Sequence, residues 1–229
     1  MRISRRVLVF FALSWALVTL YPDPTVLVTS VRNLLAPRTG AVAARALAAT
    51  LPDDPREIER RVLDDVIPYA SDWEAAGVPW RFPTAAEAMR AGRGDCESRA
   101  VVLASVLSAK GIPNELRMSF DHIWVDYPGK VPTASESGAR VISGRGSHGW
   151  SGLRWPADVD LRRELRSQLA IYWDPMPIGR KALLFAGLAW IALWNVFTAA
   201  RTHPGGARVS RRALGSVLTP MPTSARGSS

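Results

Sequence analysis

Apolar and polar positions divide the chain into two nearly pure hydrocarbon runs and, between them, a stretch with ordinary globular alternation. The first run, Val7 to Tyr21 (VLVFFALSWALVTLY), carries no charge over 15 residues. As a helix it reaches roughly 22 Å, short of the ~30 Å hydrocarbon core of a bilayer. The run is therefore a short signal anchor or a cleaved signal peptide; no convincing small-x-small cleavage site follows it before the Pro22-Asp23-Pro24 break, which favours an uncleaved anchor. The second run, Ala182 to Ala200 (ALLFAGLAWIALWNVFTAA), is uncharged over 19 residues and has the length of a transmembrane helix. A soluble core helix that is apolar on every face needs protein on all sides, more than a domain this small supplies.

Between the runs the spacing of apolar residues predicts helices first and strands later. Residues 30–51, rich in Ala, Leu and Val, suggest a helix or a membrane-proximal linker. Asp53-Asp54-Pro55 supplies N-cap candidates and a first-turn proline for an amphipathic helix through Ile58, Val62, Leu63 and Val66. Thr84 and Glu87 form a capping box before the Gly92 and Gly94 breaks. From Asp95 the pattern CESRAVVLASVLSAKG lines Ala100, Leu103, Ala104 and Leu107 along one helical face, and Lys110-Gly111 stops it. NELRMSF and DHIWVDY are rich in β-formers and predict two strands, with Pro128-Gly129 as the turn after the second. The Gly/Ser-rich stretch 138–152 is expected to be loop, followed by a polar helix near Asp158 to Leu169.

Charge refines the picture. The formal net charge is +9, and Lys110, Lys130 and Lys181 are the only lysines. The arginines are scattered and no nucleic-acid motif accompanies them, which argues against a nucleic-acid partner. They do gather outside the apolar runs: Arg2, Arg5 and Arg6 before the first, and Arg201, Arg208, Arg211 and Arg212 after the second. The positive-inside rule then places both termini in the cytoplasm. The expected layout is a cytoplasmic N-terminus (1–6), an anchor (7–21), an extracytoplasmic domain (22–181, core about 53–145), a second transmembrane helix (182–200) and a disordered cytoplasmic tail (201–229) in the inner (plasma) membrane.

The single cysteine, Cys96, forbids an internal disulfide, and three histidines at unrelated positions give no metal-ligand spacing, so any chemistry is expected to be cofactor-free. A lone cysteine is by default a packing residue, but this one falls in the first turn of a predicted helix. There, unpaired N–H groups and the positive dipole end favour a thiolate and can hold an oxyanion. Gly94 is expected to let the chain turn sharply into that helix. His122, at the start of the second predicted strand, can fold back beside the helix start and act as base. His148 lies in the Gly/Ser stretch and His203 beyond the second apolar run, and both are weaker candidates.

Arg93-Gly94-Asp95-Cys96-Glu97-Ser98-Arg99-Ala100, then VLASVLSAKGIP, then His122-Ile123-Trp124-Val125-Asp126 resembles the bacterial transglutaminase-like domain, in which a GDC helix start precedes a His-x-Trp-Val strand. Trp80 and Pro83-Thr84 also fall where that family has similar residues, and the resemblance covers about residues 70–137. It implies an α+β, papain-like core: a helix with Cys at its N-terminus packed on a small antiparallel sheet, here between two transmembrane helices. It also implies a Cys, His, Asp triad, with Cys96 as nucleophile and His122 as base. The third member departs from the family, which places an Asp on the strand after the histidine. Asp126 is four strand residues from His122, about 13 Å along the same face. Glu136 would lie opposite His122, with Cβ atoms about 5 Å apart, if a hairpin turned about Gly129. Against that stands the poor strand sequence VPTASES, in which Glu136 is simply a solvated loop residue.

The expected reaction is attack of Cys96 on an amide carbonyl of a peptide or protein, with transfer of the acyl group to an amine or to water. A cysteine protease or amidase on the same scaffold is one alternative. A catalytically silent binding or assembly module, or a plain anchored domain with Cys96 as packing, are the others.

Overall fold

The computed structural model describes residues 4–37, 39, 42–119, 122–133, 136, 143–146, 149–151 and 161–201. The chain is an α+β protein: helices enclose a small antiparallel sheet and continue into a long C-terminal helix. The helices are α1 (Arg5–Leu20), α2 (Pro24–Leu35), α3 (Val42–Thr50), α4 (Pro55–Arg61), α5 (Asp72–Ala75), α6 (Ala85–Ala91), α7 (Cys96–Ala109), α8 (Leu161–Gln168) and α9 (Ile178–Arg201). Single π turns, Val62–Val66 and Leu169–Trp173, extend α4 and α8.

Two membrane spans were expected, and the structure corrects this. Among the described residues one helix, Ile178–Thr198 within α9, is long and apolar enough by itself. The 16 residues of α1 amount to about 24 Å. That helix passes the same test only together with α2, from which it is bent by 80°. The Pro22-Asp23-Pro24 break is the cause: Asp23 caps α2 through Thr25 N at 2.9 Å, and Pro24 opens the new helix. α1 packs antiparallel on α9, with Trp15 Nε1 donating to the Leu183 carbonyl at 3.2 Å and Arg180 donating to the Thr19 carbonyl. Gly187 permits the approach, because a Cβ there would overlap the Trp15 ring.

The globular core is built around α7. Asp95 caps it through Ser98 N, Lys110 ends it, and Gly111 takes the left-handed conformation (φ 74°) that follows. The expected stripe of Ala100, Leu103, Ala104 and Leu107 is buried, and so are Val101, Val102 and Val106 on the other faces. α3, α4, α6 and the sheet surround the helix, so every residue from Ala100 to Leu107 is buried. Each such Val or Leu contributes about 1.5–3 kcal/mol of burial. Asp54 caps α4 as expected, and both hydrogen bonds of the Thr84/Glu87 capping box form, with Gly92 left-handed behind α6. Residues 30–51, where a linker was one of two options, belong mainly to α2 and α3.

The sheet has the order β2-β1-β3-β4, from β1 (Glu115–Met118), β2 (Ile123–Asp126), β3 (Ser143–Gly146) and β4 (Gly149–Ser151). The first two strands lie where expected and pair with Met118 opposite Ile123. Two expectations fail. The Gly/Ser stretch supplies β3 and β4, because pairing to β1 overrides the weak strand preference of glycine and serine. And although the chain turns at Gly129 (φ 83°), β2 pairs with β1 while β3 takes the other edge of β1, so residue 136 is not on a strand opposite 122. The tail from 202 onward lies outside the described residues.

Candidate active site

Cys96 is the first residue of α7. Its approach is fixed by a short parallel bridge: Gly94 N donates to the Pro68 carbonyl at 3.2 Å and Ala70 N to the Gly94 carbonyl at 3.0 Å. Gly94 does not have a positive φ, so it is not there for a sharp turn as expected. It is there for closeness, since a Cβ at 94 would overlap the Ser98 side chain.

His122 closes the connection between β1 and β2, where its carbonyl accepts from Ser119 N at 2.8 Å. Its ring stacks on Trp124 (centroids 5.7 Å, planes 13° apart). The fold thereby brings Cys96 and His122 onto the walls of the same two cavities. One, of about 50 Å³, is also lined by Glu59, Arg99, Lys130 and Glu136. The other, of about 120 Å³, is lined by Leu34, Trp80, Glu97, Met118 and Tyr172. Ile123, next to His122, lines both cavities as well.

Sequence reading missed a buried acid cluster at the same place. The Cys96 thiol donates to Glu97 Oε2 at 3.0 Å, and Trp80 Nε1 donates to Glu97 Oε1 at 2.9 Å. Asp95 interacts electrostatically with both Glu97 and Asp72, and Asp72 accepts from Arg81 N. All three carboxyls are buried. Burial, and then the charges of Glu97 and Asp72, push Asp95 up to about 11. Burial and Glu97 push Asp72 up to about 7. The Cys96 thiol is likewise held above its ordinary range, first by burial and then by Glu97 and Asp95.

The expected thiolate stabilisation at the helix start is therefore outweighed. A helix dipole is worth about 0.3–1 kcal/mol, up to ~2. A thiolate about 4 Å from one carboxylate, at an effective dielectric of 20, costs about 4 kcal/mol. The resting cysteine is a neutral thiol. The signal for the cluster was present as Asp95 and Glu97 on either side of Cys96, but their burial, and the arrival of Asp72 from α5, depend on tertiary packing.

Glu136 does reach the smaller cavity, by a route other than the expected hairpin. Its Oε1 takes Lys130 Nζ at 2.9 Å and its Oε2 takes Thr133 N at 2.8 Å. Lys130 Nζ also holds Glu59 at 2.8 Å and the Val125 carbonyl at 2.8 Å. Burial raises Glu136, but the Lys130 ammonium and the Thr133 N–H outweigh it and hold the carboxyl below its ordinary value. Asp126 sits at the far end of β2 and pairs with Arg117 at 2.9 Å. His148 and His203 lie outside the described residues. Compared with known families, curated proteins and solved structures, the chain matches none.

Proposed function

We propose that this chain is a membrane-anchored cysteine enzyme of the transglutaminase-like kind, transferring acyl groups from peptide or protein amides outside the cytoplasm. The observation that supports it is the shared cavity wall of Cys96, at the start of α7, and His122, at the start of β2. Because the thiol is neutral at rest, His122 acts as a general base during attack rather than as half of a standing ion pair. The Cys96 sulfur bonds to the amide carbon as His122 takes the thiol proton. The leaving amine departs with that proton, and the resulting thioester passes its acyl group to an incoming amine, or to water in a hydrolase. Glu136 acts through Lys130, which pins the Val125 carbonyl and so steadies β2 behind His122.

The anchor is α9, with α1 lying along it. Phe10, Leu13, Val18, Trp190, Trp194 and Phe197 are exposed on this pair, as lipid-facing residues are. Antiparallel packing puts Arg5, Arg6 and Arg201 at one end, the end assigned to the cytoplasm.

The chain purified in detergent, given a glutamine-containing peptide and hydroxylamine, should release ammonia and form the hydroxamate. Cys96→Ala and His122→Ala should each abolish this while remaining folded by circular dichroism. Acid product in place of hydroxamate points to a protease or amidase. Activity undiminished in Cys96→Ala overturns the proposal. The contact of the thiol with Glu97 favours a second reading, a silent binding module on the same scaffold, for which the wild-type chain gives neither product.

A further inference from the structure

The outward face of α2 is the surface that the fold leaves without a soluble explanation. Two of its polar residues point inward, while Thr25 and Thr29 stay exposed: Asn33 is 7% exposed and its Nδ2 donates to the Phe82 carbonyl at 3.0 Å, and the buried Ser30 hydroxyl bonds to the Val26 carbonyl at 2.7 Å. Leu34 packs on the core, but three of its apolar residues point outward: Val28 is 61% exposed, Val31 42% and Leu35 66%. At 100° per residue these three fall within about 60° of the helix circumference, with exposed Arg32 at the edge of the stripe. A stripe of three exposed apolar residues, turned away from a core that Ser30 and Asn33 face, is unusual for a helix packed on a water-soluble core. It suits a helix whose outer side meets hydrocarbon.

Orientation names the partner. Three residues separate α2 from α1, from which it is turned by 80°, and α1 runs antiparallel along α9. If α9 stands along the bilayer normal, α2 leaves the membrane boundary nearly in its plane. An apolar stripe flanked by a basic residue, on a helix lying in that plane, is the arrangement of an interfacial helix.

We propose that α2 lies flat on the phospholipid surface with Val28, Val31 and Leu35 in the headgroup–acyl boundary. This inference rests on the reading of α9 as a membrane span. Leu34, on the adjoining side of α2, lines the larger Cys96–His122 cavity. The interfacial helix thereby holds that cavity at the membrane surface, where a membrane-attached acyl donor would be presented.

The test uses the full chain in vesicles of phosphatidylethanolamine and phosphatidylglycerol. Single cysteines are introduced in a Cys96→Ser background by Val28→Cys, Val31→Cys, Leu35→Cys and Thr29→Cys, and by Leu193→Cys on α9, and labelled with an environment-sensitive fluorophore. Lipids carrying a nitroxide near the headgroup or near the chain end then quench by depth. Expected is blue-shifted emission at 28, 31 and 35, quenched most by the shallow nitroxide, with position 193 quenched most by the deep one and position 29 less quenched than its neighbours. Aqueous emission at 28, 31 and 35 with deep quenching at 193 overturns the inference and leaves the membrane reading standing. Deep quenching at 28, 31 and 35 makes α2 part of a broken span and overturns it as well. Blue-shifted but unquenched labels, with the chain dimeric by crosslinking, mean that a second copy covers the face. No quenching at 193 overturns the membrane reading and the inference together. If Cys96→Ser does not fold, the same labels go into the chain with Cys96 retained, whose buried thiol labels slowly, and the same outcomes apply.

Discussion

Replacing Lys130 with Met separates a clamp from a triad. The Lys130 side chain is 4% exposed and joins Glu59 and Glu136 at 2.8 and 2.9 Å. Removing the ammonium leaves the Glu136 carboxylate with Thr133 but no cation, and Glu59 with the Tyr127 hydroxyl. Breaking a buried ion pair in this way costs about 3–5 kcal/mol. Glu59 keeps some exposure, so the lower end, about 3 kcal/mol, is expected. For a chain of this size that is a Tm drop of about 6–12 °C. The assay is thermal unfolding in detergent followed by tryptophan fluorescence and near-ultraviolet circular dichroism. The pH dependence fixes the sign. Glu136 is held below its ordinary 4.5, so its contribution is present above that value and is lost as pH falls through the lower folded value. Wild type should therefore converge on Lys130→Met in acid. Neutralising all three positions (Lys130→Met, Glu59→Gln, Glu136→Gln) should recover most of the loss. A drop of less than about 2 °C at neutral pH would refute the clamp. Glu136→Gln losing activity with unchanged Tm would make Glu136 a triad member after all.

Asp72→Asn should flatten a second pH slope. The folded Asp72 value near 7 stands above its ordinary 3.8, so its contribution is full below 3.8 and fades as pH rises through 7. The unfolding free energy of wild type should fall more steeply over that window than that of the variant, by at most about 1.4 kcal/mol per pH unit, the slope left in the variant being that of Asp95. Glu97→Gln keeps an acceptor for Trp80 Nε1 but removes the charge facing the thiol, so iodoacetamide should alkylate Cys96 faster at pH 7; an unchanged or slower rate rejects the electrostatic account. Gly187→Leu should drive α9 away from Trp15. A crosslink between cysteines introduced at Leu17 and Leu183 would then be lost, and its persistence would refute the packing.

Elements whose pattern is set locally were legible. The caps at Asp54, Thr84 and Asp95, the stripe of α7 and the two strands on either side of His122 all follow from side chains within a few residues of one another. What was not legible depends on pairing at long range. Nothing local makes 143–151 a better partner for β1 than the residues after Gly129, and that choice decided where Glu136 would go. The proximity of Cys96 and His122 was inferred from a motif and accords with the shared cavities, yet the motif carried no warning of Asp72, which reaches the cluster from a four-residue helix. α2 was half legible: its apolar content was plain, but which face would be outward depended on Asn33 finding the Phe82 carbonyl.

The acid cluster and the candidate chemistry constrain each other. Three carboxyls share one small volume, and Asp95 is protonated at neutral pH because burial and two neighbouring acids leave no room for a further charge. A thiolate formed without a substrate would add a negative charge to this volume. A sulfur bonding to a carbonyl as it loses its proton adds none at sulfur, since the charge appears on the carbonyl oxygen instead. The cluster thus disfavours the free thiolate more than the attacked state, which suppresses oxidation and stray alkylation of the single cysteine. In an enzyme it would also tie turnover to an occupied cavity. The same physics would leave a silent module with an inert thiol, so the two readings part only when an acyl donor is present. A substrate-like electrophile that fills the larger cavity should then label Cys96 far faster than iodoacetamide of equal intrinsic reactivity in the enzyme, and no faster in the module.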